Sequence, residues 1–181
     1  MNKKRIFVAI NIPDSLKNSL ENYLEPFFKE NPVRITDKLG WHVTVVFCGY
    51  LHETQITAME EALEEKVKGF SPFKLEPAAV SFAPDNNPRM VWLKFKNSSE
   101  YSKLCGEFSE FADKKMLLPV PHVTLARFEP EYFHRFKKLL PAGGIDVSGE
   151  SESFTVDSVE IMESHLGPSG AKYSCLKKFN F

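Results

Sequence analysis

Two short segments of the chain place a histidine and a threonine two positions apart among apolar residues. The first reads WHVTVVFCG at 41–49 and the second reads PHVTLARF at 121–128. The repeated pairs are His42 with Thr44 and His122 with Thr124. Alternate side chains of a β-strand point to opposite faces, so each pair shares one face while its apolar neighbours point to the core. Each strand is therefore expected to present an imidazole and a hydroxyl side by side.

Two imidazoles close together suit the cleavage of a phosphoester. One can take a proton from water while the other gives a proton to the leaving oxygen, and an ordinary histidine pKa of about 6.5 allows both forms near neutral pH. Threonine hydroxyls and an arginine can donate to the non-bridging phosphate oxygens. We therefore expect a site that needs neither metal nor cofactor. Its expected catalytic residues are His42 and His122, and its expected phosphate-binding residues are Thr44, Thr124 and Arg127.

The position of Arg127 raises a geometric question. It lies five residues after His122, so a regular strand would point its side chain to the opposite face. A β-bulge or the end of the strand would have to turn it toward the histidines. From spacing alone, a solvated surface arginine is an equally good interpretation.

Two other kinds of site compete with a hydrolytic one. A nucleotide-binding module could hold a phosphate with the same pairs and leave it intact, although a histidine in both motifs disfavours this. A metal site would need further ligands, yet the sequence has no H-x-H, H-E-x-x-H or Asp-rich loop, and threonine is a poor transition-metal ligand. Hydrolysis is the interpretation that uses every residue of both motifs.

The motifs lie within an order of strands and helices that repeats along the chain. Hydrophobic periodicity and turn residues predict strands over 5–11, 41–47 and 122–128, and helices over about 14–29, 54–67, 98–114 and 131–139. FKLEPAAVSF and RMVWLKF predict a central hairpin, and the runs 152–163 and 171–178 predict a closing one. Because no linker separates the halves, we expect one α+β domain over residues 1–181, with two related lobes whose sheets face a cleft.

Composition limits the class of protein. A net charge of −1 over 181 residues does not predict the long electrostatic contact that duplex nucleic acid requires. The chain has no apolar run of about 18 residues, so no transmembrane helix or membrane partner is expected. Three cysteines without C-x-x-C spacing predict reduced, buried thiols. We expect a cytoplasmic monomer.

Both motifs and both ends of the chain resemble the 2H phosphoesterase superfamily, and most of all its RNA 2′,3′-cyclic phosphodiesterases, also called 2′-5′ RNA ligases. HVTVVFCG resembles the first H-x-T motif and PHVTLARF the second, while RIFVAINIP resembles the opening strand and VEIMESHLGPSGAKYSCLKKF the closing hairpin. Cys48 replaces a leucine that is usual in the family, and Trp41 precedes the first histidine. These departures leave the substrate preference open.

The resemblance implies a bilobal α+β fold with pseudo-twofold symmetry, antiparallel sheets facing a central cleft, and helices outside. It implies hydrolysis of a 2′,3′-cyclic phosphate to a 2′-phosphomonoester, with His42 as general acid and His122 as general base. Ligation through a 2′-5′ bond is the reverse reaction, and hydrolysis should dominate in water. The substrates left open are RNA 3′ ends, a tRNA splicing intermediate, free cyclic nucleotides and ADP-ribose cyclic phosphate. Tyr173 and Ser164, in the closing hairpin, are further candidates for lining the cleft.

Overall fold

The chain folds into antiparallel strands and a smaller number of helices. The computed structural model describes residues 3–28, 33–114, 120–138, 140, 144–148, 152–168 and 170–181. The strands are β1 Lys4–Asn11, β2 Arg34–Ile35, β3 His42–Leu51, β4 Phe73–Leu75, β5 Pro77–Ala83, β6 Met90–Phe95, β7 His122–Arg127, β8 Ile145–Asp146, β9 Phe154–Val156, β10 Ser158–Gly167 and β11 Gly170–Asn180. The α-helices are α1 Asp14–Phe28, α2 Glu53–Lys66, α3 Ser99–Glu107 and α4 Phe133–Phe136.

Two larger sheets carry the His-x-Thr motifs. The first has the strand order β11-β10-β1-β3 and the second has the order β2-β7-β6-β5-β8, with antiparallel neighbours throughout. In the first, β1 lies between β10 and the motif strand β3. In the second, β6 lies in the same way between β5 and the motif strand β7. This repeat confirms the predicted α+β fold with two related lobes. The first and last strands, β1 and β11, both lie in the first sheet.

Buried apolar positions explain where the elements form. Positions 6–10 of β1 are all buried, because the strand is covered on both faces. In α1, Leu16, Leu20 and Leu24 recur four residues apart and are buried along one side, and Asp14 lies in the first turn, where a negative charge favours the helix dipole. The predicted helices over 14–29 and 54–67 are confirmed as α1 and α2, although position 29 lies outside the described residues.

The helix predicted over 98–114 is wrong in its second half. α3 ends at Glu107 and is followed by a 3-10 turn over Ser109–Phe111. The Ser109 hydroxyl donates to the Gly106 carbonyl at 2.6 Å, which competes with continuation of the helix. A few residues later the Asp113 amide donates to the carbonyl of Phe47 in β3 at 2.9 Å, so the chain has already turned to the edge of the first sheet.

Three other boundaries differ from the prediction. The run 152–163 is interrupted at Asp157, because β9 pairs with β4 in a separate two-stranded sheet while β10 pairs with β1 and β11. The helix predicted over 131–139 is a 3-10 turn over Pro130–Tyr132 followed by the short α4, and position 139 lies outside the described residues. The central hairpin is confirmed as β5–β6, but the start of its predicted first run, Phe73–Leu75, is β4 and pairs with β9 instead. The closing hairpin is confirmed as β10–β11.

The cysteines are only partly as predicted. All three are free, and Cys48 and Cys105 are buried, but Cys175 is exposed on β11, so the expectation of buried thiols is wrong there. Within the described ranges, none of the helices combines the length and the apolar character needed to cross a membrane.

Candidate active site

A cleft with a volume of about 370 Å³ lies between the two larger sheets. Both motif strands contribute the same three positions to it. The lining residues are His42, Thr44 and Phe47 from β3; His122, Thr124 and Arg127 from β7; Met90 and Trp92 from β6; and Arg5, Thr36, Gly40 and Tyr173. The structure therefore brings together both histidines, both threonines and the arginine that the sequence singled out.

Each motif strand contains a β-bulge directly after its threonine. The pairing of β3 with β1 shifts after Thr44 and leaves Val45 as the extra residue. The pairing of β7 with β6 shifts after Thr124 and leaves Leu125 as the extra residue. Both extra residues are fully buried. The two lobes thus share an irregularity of the backbone as well as a sequence motif.

The bulge determines which face Arg127 occupies. Leu125 and Ala126 are both buried, so the alternation slips by one residue and Arg127 returns to the face of Thr124. The same slip in β3 brings Phe47 into the cleft, with its side chain 51% exposed. Matched positions of the two lobes therefore place a guanidinium on one wall and a phenyl ring on the other.

The two histidines make the same backbone hydrogen bond. His42 Nδ1 donates to the carbonyl oxygen of Gly40 at 2.6 Å, and His122 Nδ1 donates to the carbonyl oxygen of Val120 at 2.7 Å. A carbonyl can only accept, so Nδ1 carries the hydrogen in both rings. Nε2 is therefore the nitrogen of each imidazole that can gain or lose a proton in the cleft.

Aromatic rings hold both imidazoles in place. Trp92 stacks on His122 with ring centroids 3.6 Å apart and an interplanar angle of 19°. His42 lies 4.8 Å from the ring of Phe7 and 5.0 Å from the edge-on ring of Tyr173. These contacts restrict rotation of the rings and exclude water from their faces.

Burial lowers the pKa of both histidines. The pKa of His42 is lowered to about 4, chiefly because burial disfavours the imidazolium, and the positive charges of His122 and Lys17 act in the same direction. The pKa of His122 is also lowered, by burial and then by the charges of Lys94 and Arg127. The backbone hydrogen bonds oppose both shifts. In the free protein both imidazoles are therefore neutral at pH 7.

Tyr173 and Ser164 occupy different places. Tyr173 lines the cleft and packs so close to Gly40 that a Cβ atom at Gly40 would lie 2.7 Å from its ring. Ser164 is buried and does not line the cleft. Its hydroxyl accepts a hydrogen bond from Arg5, which does line the cleft, at 3.0 Å. Ser164 thus supports a cleft residue from behind.

Sequence reasoning missed several cleft residues, above all Trp92 and Arg5. Val91 and Leu93 are buried, and period-two alternation in β6 could have indicated that Trp92 points the other way. The pairing of β6 with β7 places Trp92 opposite Thr124, and from there its ring stacks on His122. Arg5 had no local signal at all, since it reaches the cleft through the pairing of β1 with β3. In the described ranges, no three His, Cys, Asp or Glu side chains are grouped so that they could hold a metal ion.

Two matched sheets, each with a bulged strand that presents His-x-Thr to a shared cleft, define a 2H phosphoesterase. The family model described as the 2′-5′ RNA ligase superfamily matches residues 12–168. The chain belongs to this family.

Curated relatives extend over almost the whole chain. It is 28% identical to an RNA 2′,3′-cyclic phosphodiesterase of Archaeoglobus fulgidus, covering 97% of this chain and 99% of that protein. It is 26% identical to an RNA 2′,3′-cyclic phosphodiesterase of Thermotoga maritima, covering 98% of this chain and 95% of that protein. A solved structure of E. coli LigT complexed with 3′-AMP has a TM-score of 0.78 at 19% identity, covering 99% of this chain and 98% of that one. This last likeness concerns the fold.

Proposed function

We propose that the chain is an RNA 2′,3′-cyclic phosphodiesterase that hydrolyses a 2′,3′-cyclic phosphate to a 2′-phosphomonoester. The observation that carries the proposal is the matched pair of imidazoles, each fixed through Nδ1 to the carbonyl two residues earlier and each lining one cleft. The names of the relatives from Archaeoglobus fulgidus and Thermotoga maritima support the same activity.

The reaction needs one proton taken and one proton given. His122 Nε2 takes a proton from water as the water oxygen attacks phosphorus, and His42 Nε2 gives a proton to O3′ as the bond between phosphorus and O3′ breaks. The product carries a 2′-phosphate and a 3′-hydroxyl. His122 is then charged and His42 neutral, and exchange with solvent restores both.

The low pKa of His42 is compatible with its role as acid once substrate is bound. A phosphate anion about 4 Å from the imidazole stabilises the imidazolium by about 4 kcal/mol at an effective dielectric constant near 20. That is about three pKa units, which brings the pKa of His42 from about 4 toward neutrality. Binding of the substrate therefore favours the protonated form of His42, its general acid.

Thr44, Thr124 and Arg127 complete the proposed site. The two hydroxyls and the guanidinium donate to the non-bridging oxygens while negative charge develops there. The side chain of Arg127 donates from Nη1 to the sulfur of Met90 at 3.0 Å, and among the described residues it forms no ion pair with a carboxylate, so the guanidinium is available to a phosphate. Because side chains supply acid, base and charge stabilisation, we propose that no metal takes part.

The same groups could run the reaction in reverse as 2′-5′ ligation, which water should suppress. All residues in the proposal come from one chain, so we propose a monomer. We also propose that residues 1–181 act as one domain, since the first and last strands, β1 and β11, lie in the sheet that carries His42. We place it in the cytoplasm, where buried Cys48 and Cys105 would remain free thiols.

A panel of 2′,3′-cyclic phosphates, including an RNA end, a mononucleotide and ADP-ribose cyclic phosphate, tests the proposal. We expect at least one substrate to give a 2′-phosphomonoester, identified by phosphorus NMR. The rate should be the same in the presence and absence of EDTA. His42→Ala and His122→Ala should each lower kcat by about 10² to 10⁴. The matched control is His134→Ala, because His134 is exposed and its Nδ1 also bonds a backbone carbonyl.

Two results would count against this function. If the wild-type protein binds the cyclic phosphates without turnover, the fold serves as a nucleotide-binding module. If EDTA abolishes activity and zinc or manganese restores it, the metal-free mechanism is wrong.

A further inference from the structure

The two cleft histidines lack the carboxylate that often accompanies a histidine base. Among the described residues, neither His42 nor His122 forms an ion pair with an acidic side chain. His122 instead faces positive charges: Lys94, which pairs with Asp85, lies directly opposite it in the β6–β7 ladder, and Arg127 follows on its own strand. His42 lies across the cleft. An imidazolium at His122 therefore needs another source of stabilisation.

The indole of Trp92 lies almost flat against the imidazole of His122. The ring centroids are 3.6 Å apart and the planes differ by 19°. The electron-rich face of an aromatic ring attracts a cation within about 6 Å, and tryptophan does so most strongly. The stack therefore stabilises a proton gained at Nε2 of His122, and it adds to the hydrogen bond that Nδ1 donates to the carbonyl of Val120.

His42 has no comparable ring. Phe7 is tilted by 35° with its centroid 4.8 Å away, and Tyr173 is nearly perpendicular, at 80° and 5.0 Å. A phenyl face also attracts a cation less strongly than an indole face. The ammonium group of Lys17, whose side chain is only 7% exposed, acts against an imidazolium at His42 as well. Matched positions of the two lobes thus differ in their affinity for a proton.

The position of Trp92 is fixed by the second sheet. Its strand β6 is paired on both sides, with β5 and with β7, and its neighbours Val91 and Leu93 are buried on the opposite face. The Nε1 atom of Trp92 is buried and makes no hydrogen bond within the described part of the chain, so packing sets the orientation of the ring. The indole is therefore in place before a substrate arrives, as electrostatic stabilisation of a transition state requires.

We propose that Trp92 is a positioning residue that makes His122 the histidine which takes up a proton, so that one proton passes from His42 to His122 in each turnover. The inference rests on the proposed function and gives it a direction. As the water oxygen attacks phosphorus, the proton of the water goes to His122 Nε2 and positive charge develops over the indole. The proton of His42 goes to O3′ as the bond between phosphorus and O3′ breaks. The direction of transfer then follows from the unequal rings.

Tryptophans with one, two or three ring fluorines test the proposal, because fluorine withdraws electron density from the ring face and hardly changes its size. Each is incorporated at position 92 of the full chain. NMR titration of the imidazole Cε1 groups in the free protein measures the histidine pKa values, and His122→Ala identifies the signal of His122. The pKa of His122 should fall by about 0.3 for each fluorine, while that of His42 should change far less.

The rate on a nucleoside 2′,3′-cyclic phosphate is the second measurement. Read at the top of its pH profile with chemistry limiting, kcat should fall by about 1.5-fold for each fluorine, because the proton is only partly transferred in the transition state. KM should stay the same. The matched control places the same fluorinated tryptophans at position 41, because Trp41 is 2% exposed and does not line the cleft. They should change neither the pKa of His122 nor kcat.

A pKa of His122 that is independent of the number of fluorines would overturn the proposal, as would an equal effect from position 41. A falling pKa with an unchanged kcat would overturn it too, because the charge on His122 would then play no part in the chemical step. If no cyclic phosphate is hydrolysed but the pKa of His122 still falls, hydrolysis is wrong and the preference of His122 for the proton stands. If hydrolysis proceeds and both measurements are flat, the function stands and Trp92 only packs against the imidazole.

Discussion

At the scale of single residues, the two histidines each make the same kind of hydrogen bond to a backbone carbonyl, but their aromatic neighbours differ. His122 is stacked on Trp92, whereas His42 is enclosed by Phe7 and Tyr173. Both have a lowered pKa in the free protein, because burial outweighs the hydrogen bonds that would stabilise the charged form. Their protonation therefore depends on whether a phosphate occupies the cleft.

The difference in histidine pKa between the free enzyme and the phosphate-bound complex predicts two different pH profiles. A bell-shaped pH dependence of kcat/KM reports the pKa values of the free enzyme. Both histidine pKa values lie below the ordinary 6.5 there, so the centre of the bell should fall below pH 6.5. A bell-shaped pH dependence of kcat reports the bound complex, where the phosphate anion raises both pKa values. Its centre should therefore lie higher, by about three pH units if both imidazoles lie about 4 Å from the phosphate. Initial rates between pH 4 and pH 9, with chemistry limiting, measure both.

The limbs of each bell belong to the interacting pair rather than to one histidine. A kcat/KM profile centred above pH 7 would contradict the lowered pKa values. A single sigmoid would mean that only one imidazole titrates in the mechanism.

At the scale of elements, the motif strand β3 is an edge strand whose outer side is covered by other parts of the chain. The hydroxyl of Tyr101, in α3, donates to the carbonyl of Thr44 at 2.7 Å, and the amide of Asp113 donates to the carbonyl of Phe47 at 2.9 Å. Gly49 has a φ of 74°, and a Cβ atom there would lie 2.8 Å from the Asp113 side chain. These contacts protect an edge that could otherwise pair with another chain.

Tyr101→Phe tests the contribution of this hydrogen bond. Tyr101 is 1% exposed, so the variant leaves the Thr44 carbonyl without its partner in a buried place, and we expect unfolding free energy to fall by about 1 to 2 kcal/mol. Urea unfolding at an unchanged m-value measures it. The matched control is Tyr50→Phe in β3, where the ring is 57% exposed and a change below about 0.5 kcal/mol is expected. Equal losses in the two variants would show that the hydroxyl of Tyr101 contributes nothing specific.

At the scale of the whole molecule, two similar sheets create one site that neither could form alone. The bulge after each threonine occurs at the same place, so Thr44 and Thr124 approach the cleft in the same way from opposite walls. The symmetry ends three residues after each threonine, because the first sheet has Phe47 at the position where the second sheet has Arg127. The first sheet still contributes a cation to the cleft, but it comes from Arg5 in the neighbouring strand β1 and not from the motif strand.

Matched threonine variants test this symmetry. Thr44→Val and Thr124→Val keep the strand packing and remove one hydroxyl donor each. Each variant should lose about 1 to 3 kcal/mol of transition-state stabilisation, measured as a lower kcat/KM on a cyclic phosphate. The two losses should be of similar size. Thr155→Val, on an exposed position of β9, serves as the control. Threonine variants that behave like the wild type would remove the hydroxyls from the mechanism.

The prediction of the fold succeeded where the signal was local. Strand alternation, helical periodicity and turn residues are properties of neighbouring residues, so β1, β3, β7, α1 and both hairpins followed from the sequence. The second half of the predicted helix over 98–114 failed because Asp113 is held by β3, which is distant in the chain. A tertiary contact of this kind overrides local helix propensity.

The sequence by itself determined which residues could perform the chemistry, because the types and spacing of His42, Thr44, His122 and Thr124 are visible without any fold. Only the tertiary structure decided that Arg127 joins them, since the bulge at Leu125 depends on pairing with β6. The stacking of Trp92 on His122 and the low pKa of His42 likewise arise from contacts between residues far apart in the chain. Burial and strand pairing are properties of the folded assembly, and no local pattern of residues encodes them.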